Sequence, residues 1–338
     1  LCHGALPGEL EKFSAEDCRA ASEFVAACAA RRPPGIALVR LESVGTQLGR
    51  RRMRIGIVND DMPFLVDSVA AAIAARNLII HRLLHPVVCV KRDGQGCLLD
   101  IEPLCDERER RESIMYIEVD RADARTRGRL VAELHRVLAD VRAAVGDWRA
   151  MQKRMRDDAD LIGDDEDGAA LLRWFADGAM TLLGYHVERP EGQPTDPLGI
   201  FRLPGEPTDE GGCMGAIRYF EGGGAVPLLA KADLRSPVHR RVPLDLAVVP
   251  VREKGAIVGV GVHAGLWTSE ALTMAVEKVP VIRRRLDELD ARFGFDPHGH
   301  SGKAMRQMAG RQAVFKAPPG GDARERIDDE SPPGRCRS

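Results

Sequence analysis

Three neighbouring polar side chains, Asn59, Asp60 and Asp61, stand between the apolar run RIGIV and a second one that starts at Phe64. Short acidic groups between a strand and a helix have two uses. They can accept from the free amides of the helix's first turn, where Pro63 is tolerated because that turn has no acceptor for its missing N–H. Alternatively the same amides bind an anionic group while an aspartate holds an ammonium, which would make Asn59, Asp60, Asp61, Met62, Pro63 and Phe64 an amino-acid-binding loop.

Other stretches invite chemistry less directly. His81 and His85 are four apart, a metal-chelating spacing on a helix. On a strand, at roughly 3.3 Å per residue, they stand about 13 Å apart and cannot share an ion. The run GVGVHAG at 259–265 imitates the dinucleotide fingerprint, and the arginines of VIRRR downstream would suit a phosphate. Only AIV separates Gly255 from Gly259, too short for the leading strand, so the run to Trp267 reads as one strand. His239 in RSPVHRRV, and His298 with His300 in DPHGHSGKAM, lack a nucleophile at a readable spacing. Ser301 as a helix cap accounts for the latter stretch. The run DERERRE, 106–112, reads as a solvated charged excursion. We therefore expect no catalytic and no metal-ligating residue here.

The elements that position these residues follow from periodicity. Residues 14–31 form a helix capped by Ser14, with Asp17 three residues on, and Pro33 and Pro34 end it. Met53, Ile55 and Ile57 alternate with Arg52, Arg54 and Gly56, a half-buried strand. Leu65, Val66, Val69, Ala70 and Ile73 keep a helical period that stops near Asn77. A strand over 78–93 contains Pro86, which cannot donate to a ladder and so argues for an edge or a bulge, and RDGQG turns the chain. ESIMYIEVD is the next strand, and the helix through Leu130, Leu134, Val137, Leu138 and Val141 continues to Asp158. Strand, helix, strand, strand, helix is most of a ferredoxin-like βαββαβ unit.

The acidic stretch GDDEDG, 163–168, is the expected hinge to a second module. There AALLRWFADG reads as a helix, AMTLLGYHVER as a strand and 190–213 as a loop. AIRYF, PLLAKA, DLAVVPV and AIVGVGVHAGLW follow as strands, the last two joined by REKG. Helices are expected at about 278–293 and 301–310, and disorder from Ala317 onward. The fold class is α+β: a ferredoxin-like unit, then a mostly antiparallel α/β module. The expected divisions are 1–49, an N-terminal helical segment; 50–165, the first unit with its long helix; 166–312, the second module; and 313–338, a disordered tail.

Composition limits the function classes. The 338 residues are 44% hydrophobic and 30% charged, enough to bury a core, and roughly two domains' worth of chain. A net charge of −2 and a pI near 6.6 give no field for phosphate backbones or anionic lipid, so neither nucleic acid nor membrane is an expected partner. No apolar run is long enough to span a bilayer, and no secretory signal opens the chain. Eight cysteines without a CxxC pair suggest reduced thiols in a cytoplasm.

IVNDDMPFLVDSV, followed by HPVVCVKRDGQG, ESIMYIEVDR, LLRWFADGAMTLLGY, LLAKADLRSPVHRRVPLDLAVVPV and FGFDPHGHSGKAM, resembles the N-terminal region of the large bacterial NAD-specific glutamate dehydrogenases. The likeness covers most of residues 50–310, with the motifs in the family's order. It implies that 50–150 is an ACT-like unit and that 168–310 is the next α/β module, PAS-like on that resemblance. It implies too a regulatory and assembly segment rather than a catalytic one: glutamate and NAD sites sit in a later region of that family, so no cofactor is expected in this chain. The implied partners are that catalytic region or a second copy, with an amino-acid effector at the loop. A free-standing amino-acid sensor is the alternative. Leu1 at the start and the unlike stretch after Ala317 suggest a truncation or a disrupted reading frame. Ligand-binding ACT domains usually place glycine after the loop proline. Phe64 stands there instead, so the loop reads as structural, with the phenylalanine anchoring the helix or a neighbouring subunit.

Overall fold

The computed structural model describes residues 1, 8–11, 13–45, 51–102, 111–162, 166–203, 212–275, 278–280 and 283. At its centre are two long apolar strands, β2 (Arg51–Asp60) and β6 (Arg111–Asp120), paired antiparallel from Arg52↔Asp120 to Asp60↔Glu112. Met53, Ile55 and Ile57 of β2 and Met115, Ile117 and Val119 of β6 are fully buried. They pack with helices α2 (Leu65–Ala74) and α3 (Ala124–Leu161). The other face is not solvated, as alternation alone suggests. Val58, Ile114, Tyr116 and Leu84 pack there with Phe24, Val25 and Cys28 of helix α1 (Ala15–Ala29), whose capping box joins Ser14 and Asp17. Gly56 permits this close approach: a Cβ would stand 2.7 Å from Cys28 Sγ and 3.0 Å from the Phe24 ring.

The strand expected over 78–93 is two, β3 (Ile80–Leu84) and β4 (Val87–Arg92). Leu84↔Tyr116 and Val87↔Ser113 keep one register against β6 across the break. Pro86 sits in that break, and its carbonyl accepts from the Ile114 amide. Two strands of this sheet were not foreseen. β5 (Leu98–Glu102) pairs with β4, and β1 (Leu38–Gly45) takes the outer place beside β2. A βαββαβ unit would fill that place with a strand following its second helix. Here a strand from before the unit fills it, and α3 runs on.

α3 has 38 residues, about 57 Å at 1.5 Å each. Its first half packs Leu130, Leu134, Leu138 and Val141 into the first core, and its second half puts Met151, Met155 and Ala159 into another. That second core lies against a five-stranded antiparallel sheet in the order β8 (Thr195–Gly199), β7 (Met180–Glu188), β11 (Ala256–Trp267), β10 (Pro243–Glu253), β9 (Leu228–Arg235). The hairpin of β10 and β11 turns on Lys254 and Gly255, both at positive φ, a two-residue turn of the kind glycine favours. AIRYF is not a strand: it lies in α5 (Gly212–Glu221), where Ala216, Ile217 and Phe220 recur at helical spacing and cover Val248, Val260 and Val262. AALLRWFADG falls in α4 (Glu166–Trp174) and the π-helical turn after it. The expected loop at 190–213 contains β8 and a 3₁₀ turn at Ile200–Arg202. The helices expected at 278–293 and 301–310, the tail, His298 and His300 lie, almost entirely or wholly, outside the described residues.

No helix among the described residues is long and apolar enough to cross a membrane. Cys18 and Cys89 are disulfide-bonded, contrary to the reading of the cysteines as reduced thiols, whereas Cys28, Cys97 and Cys213 are free.

The two sheets share a continuous core, because Leu183, Ile200, Val238, Leu244, Ala264 and Leu266 of the second join the cluster around α2 and α3. The α3 side of this seam carries polar groups at a seven-residue spacing, almost two helical turns. Glu133 pairs with Arg241, Asp147 accepts from the Gly199 amide, and Arg154 lies over the Tyr185 ring. Asp140 stands in line with them, buried, and burial pushes its pKa up to about 6 against the opposing charge of Arg136. A raised carboxyl pKa means the fold binds this proton more tightly than the unfolded chain, so its penalty is full above about pH 6 and is relieved as pH falls towards 4. We expect Asp140→Asn to stabilise the protein by about 1–3 kcal/mol at pH 7.5 and by little at pH 4.5, as read by urea unfolding at both pH values.

Candidate functional site

Every strand end is a place where backbone pairing stops and side chains must finish the job. At the end of β2 and the start of β6, Asp60 and Glu112 are direct cross-strand partners. Like charges so placed repel, and Glu112 is fully buried, so neither would be tolerated alone. Arg32, itself buried and reaching in from just beyond α1, lies between them: Nη1 donates to Glu112 at 2.7 Å and Nη2 stands 2.9 Å from Asp60 Oδ1, off the line of a hydrogen bond. Arg92 of β4 grips Glu112 with Nε and Nη2, at 2.8 and 2.7 Å, and its Nη1 donates to the carbonyls of Ala29 and Gly96. From α3, Arg142 donates to Asp60 at 2.5 Å and to the Asn59 side-chain oxygen. Three arginines thus tie α1, β2, β4, β6 and α3 to two carboxylates.

Burial alone would raise the Asp60 pKa. The guanidinium groups of Arg142 and Arg32 outweigh it and hold the carboxyl below its ordinary value. Glu112 was read as part of a solvated charged run, yet it is the buried centre of the clamp; 103–110 lie outside the described residues. A single buried acid in an acidic-and-basic run leaves no mark in composition. Its place opposite Asp60, fixed by sheet register, is the signal that identifies it.

The loop residues divide. Asn59 is buried and its amide nitrogen has no hydrogen-bond partner among the described residues. Asp61 is exposed, and its backbone amide donates to the Arg111 carbonyl at 3.1 Å. Met62 and Phe64 pack on the first core, and Pro63 is exposed. The expectation that the aspartates cap the helix is not met: the N-cap of α2 is Phe64, without a side-chain cap bond, because Asp60 is held by arginines instead. Phe64 adopts φ 70°, the left-handed conformation that glycine favours, and its ring lies 5.4 Å from that of His239.

The remaining histidines are dispersed. His81 pairs with Asp120 at 2.7 Å and His85 with Ser113 at 2.6 Å. His239 meets Asp67 at 2.9 Å. His263, within GVGVHAG, lies on β11 and not in a turn before a helix, so no dinucleotide fold forms around Gly259 and Gly261. Its Nε2 stands 2.8 Å from Asp158; burial lowers its pKa against the pull of that carboxylate. Gly261 leaves room for the neighbouring Tyr185, whose hydroxyl would meet an added Cβ at 3.1 Å. Among the described residues no three His, Cys, Asp or Glu side chains form a group that could hold a metal ion.

Removing one partner of a buried ion pair strands the others in low dielectric. Glu112→Gln should destabilise the protein by about 3–5 kcal/mol, while Asp61→Asn, on an exposed carboxylate, changes stability by no more than about 0.5 kcal/mol. The stabilisation from Asp60 is complete above its unfolded pKa near 4 and is lost as pH falls through the lower folded value. Urea titration of both variants, and an acid titration of Asp60→Asn beside the unsubstituted chain, checks these outcomes.

Residues 1–134 match the family model described as "Glutamate dehydrogenase, ACT1 domain", and residues 279–309 the one described as "Glutamate dehydrogenase, helical motif 1". The NAD-specific glutamate dehydrogenases of Halomonas elongata and Pseudomonas aeruginosa are each 28% identical, over 75% and 78% of this chain. The Mycobacterium tuberculosis enzyme of that name is 27% identical over 74%. The chain spans 17%, 18% and 16% of their respective lengths. A solved structure titled "Structure of an RNA-binding Light-Oxygen-Voltage Receptor" aligns over 85% of this chain and 90% of its own at 13% identity, with a TM-score of 0.17, too low to relate the folds. By these matches the chain is similar, over most of its length, to the N-terminal, ACT1-bearing region of the NAD-specific glutamate dehydrogenases.

Proposed function

We propose that this chain is a regulatory and assembly segment of an NAD-dependent glutamate dehydrogenase and does not itself turn over glutamate. The full-length reaction is the oxidative deamination of L-glutamate to 2-oxoglutarate and ammonia. One observation carries the reading: the carboxylates gathered at the β2 and β6 ends are engaged by Arg32, Arg92 and Arg142, so they serve as anchors and not as acids or bases open to a substrate. The partners on this reading are the catalytic region of the same enzyme or a second copy, the setting is the cytoplasm, and NAD is bound outside this chain. The division at about residues 49, 165 and 312, the PAS-like character of the second module and a natural short form or fragment belong to the same proposal.

A second reading, an amino-acid sensor at residues 59–64, is favoured by one feature. The Asn59 amide nitrogen is a buried donor without an acceptor among the described residues, and the part-exposed guanidinium of Arg142 stands beside it. Together they would suit a carboxylate.

Incubated with glutamate and NAD, the purified chain should give no rise in absorbance from NADH above a protein-free control, and a rise proportional to chain concentration would overturn the first reading. Calorimetry with the common amino acids addresses the second. A saturable heat lost in Asp61→Ala supports a sensor, and flat isotherms leave the loop as scaffold.

A further inference from the structure

The segment Ser236–Val242, between β9 and β10, belongs to the second sheet by connectivity and to the first by contact. The His239 amide donates to Ser68 Oγ at 2.8 Å, and the same hydroxyl donates to the Phe64 carbonyl at 2.6 Å. The His239 ring packs on Phe64 and its Nδ1 stands 2.9 Å from Asp67. Two residues on, Arg241 donates to Glu133, which also takes Arg76 from just beyond the end of α2. The segment is therefore a strap that bears directly on the first turn of α2 and, through Glu133 of α3, on Arg76 just past its end.

Two features make this strap unlike ordinary core. Phe64 and His239, the residues in ring contact, are both left-handed, at φ 70° and 63°, a conformation that costs a side-chain-bearing residue about 1–2 kcal/mol. Strain of this kind persists only while its surroundings enforce it. The first turn of α2 also lacks a side-chain cap, so it leans on the strap for support that most helices take from Ser, Thr, Asp or Asn. Each strained residue holds the other in place, and release of one removes the reason for the other.

We propose that residues 236–242 are a releasable latch that couples loop 59–64 to the second sheet. In the closed state the Phe64 and His239 rings are locked in tilted contact, 5.4 Å apart at 45°. In the open state both relax, the first turn of α2 frays, and the change passes along the strap to Arg240, whose Nη2 donates to the Trp267 carbonyl at the end of β11. The loop has the clamp at one end, on Asn59 and Asp60, and the latch at the other, on Phe64. This inference rests on contacts within the chain and stands whether or not the segment serves a dehydrogenase.

Native-state hydrogen exchange on the whole chain tests it. The amides of Ser68, Ser236, His239 and Val242 should exchange through one shared opening, at least tenfold more often than those of Ile55, Ile57, Ile114 and Ile117 in β2 and β6. Ser68→Ala, which removes both hydroxyl bonds, should speed the strap and the first turn of α2 by a common factor of about ten and leave the central strands unchanged. Should that variant fail to fold, Asp67→Asn, on an exposed carboxylate, should produce the same paired acceleration at a smaller factor. Exchange of strap and central strands at one rate, or acceleration of only one of the two segments, overturns the latch.

Discussion

Asp60 and Glu112 face each other across the two central strands, and the fold around them is arranged to make that repulsion bearable. Sheet register fixes the pair; no rotamer can move both carboxylates away from a position set by eight further residue pairs along β2 and β6. What can move is the counter-charge. Arg32 comes from the turn beyond α1, Arg92 from β4 and Arg142 from α3, so the three elements that cover or extend the sheet each supply a guanidinium. Arginine suits this role because its planar fork can serve a carboxylate and a carbonyl at once, as Arg92 does with Glu112, Ala29 and Gly96. A buried cluster of this kind adds little net stability over an apolar substitute. It does set geometry: α1, β4 and α3 can each dock in only one place if their arginine is to find its partner.

That constraint decides what the NDD loop is. An aspartate free to cap α2 would leave Arg32 with Glu112 as its one carboxylate and would take from Arg142 its charged partner, and an aspartate free to hold an ammonium would do the same. The competition is settled by magnitude, because a hydrogen bond to a charged group contributes about 1.5–3 kcal/mol, with the second guanidinium adding to it, and losing a helix cap costs about 1 kcal/mol. α2 consequently starts at Phe64 in a conformation suited to glycine, with no side chain over its first amides. Support comes from 175 residues further along the chain, where His239 packs on the same phenylalanine.

Much of this fold was legible from period alone. α1, β2, α2, β6, α3, β7 and the hairpin of β10 and β11 all carry apolar residues at spacings that only one element type satisfies, and Lys254-Gly255 marks a tight turn. The misses share a cause. β1, β5 and β8 lie at sheet edges or beside a break, where the partner and not the strand's own pattern decides the pairing, and AIRYF is short enough to suit either period. At the loop, residue types were legible and their partners were not. Nothing near Asp60 in sequence announces Arg32 or Arg142, and Glu112 hides in a run of mixed charge whose other members say nothing about burial. Charge partners are set by register and packing, which are the last things a linear pattern reveals.

The long helix turns these local facts into a property of the whole chain. One face of α3 completes the core under β2 and β6, and another meets the second sheet with Glu133, Asp140, Asp147 and Arg154 at a constant spacing of seven. A helix with 3.6 residues per turn keeps such positions within about 20° of one line per step, so the seam winds slowly and can follow one neighbour over the roughly 32 Å from Glu133 to Arg154. Three of the four positions find partners on the second sheet or its connections; Asp140 is buried among them, its carboxyl pushed up to about 6 by that burial. An acid left in that state on a continuous seam is a cost the fold bears at neutral pH. The same seam is flanked at α2's loop by the clamp on Asp60 at one end and, at the other, by Phe64 and His239, two left-handed residues in ring contact.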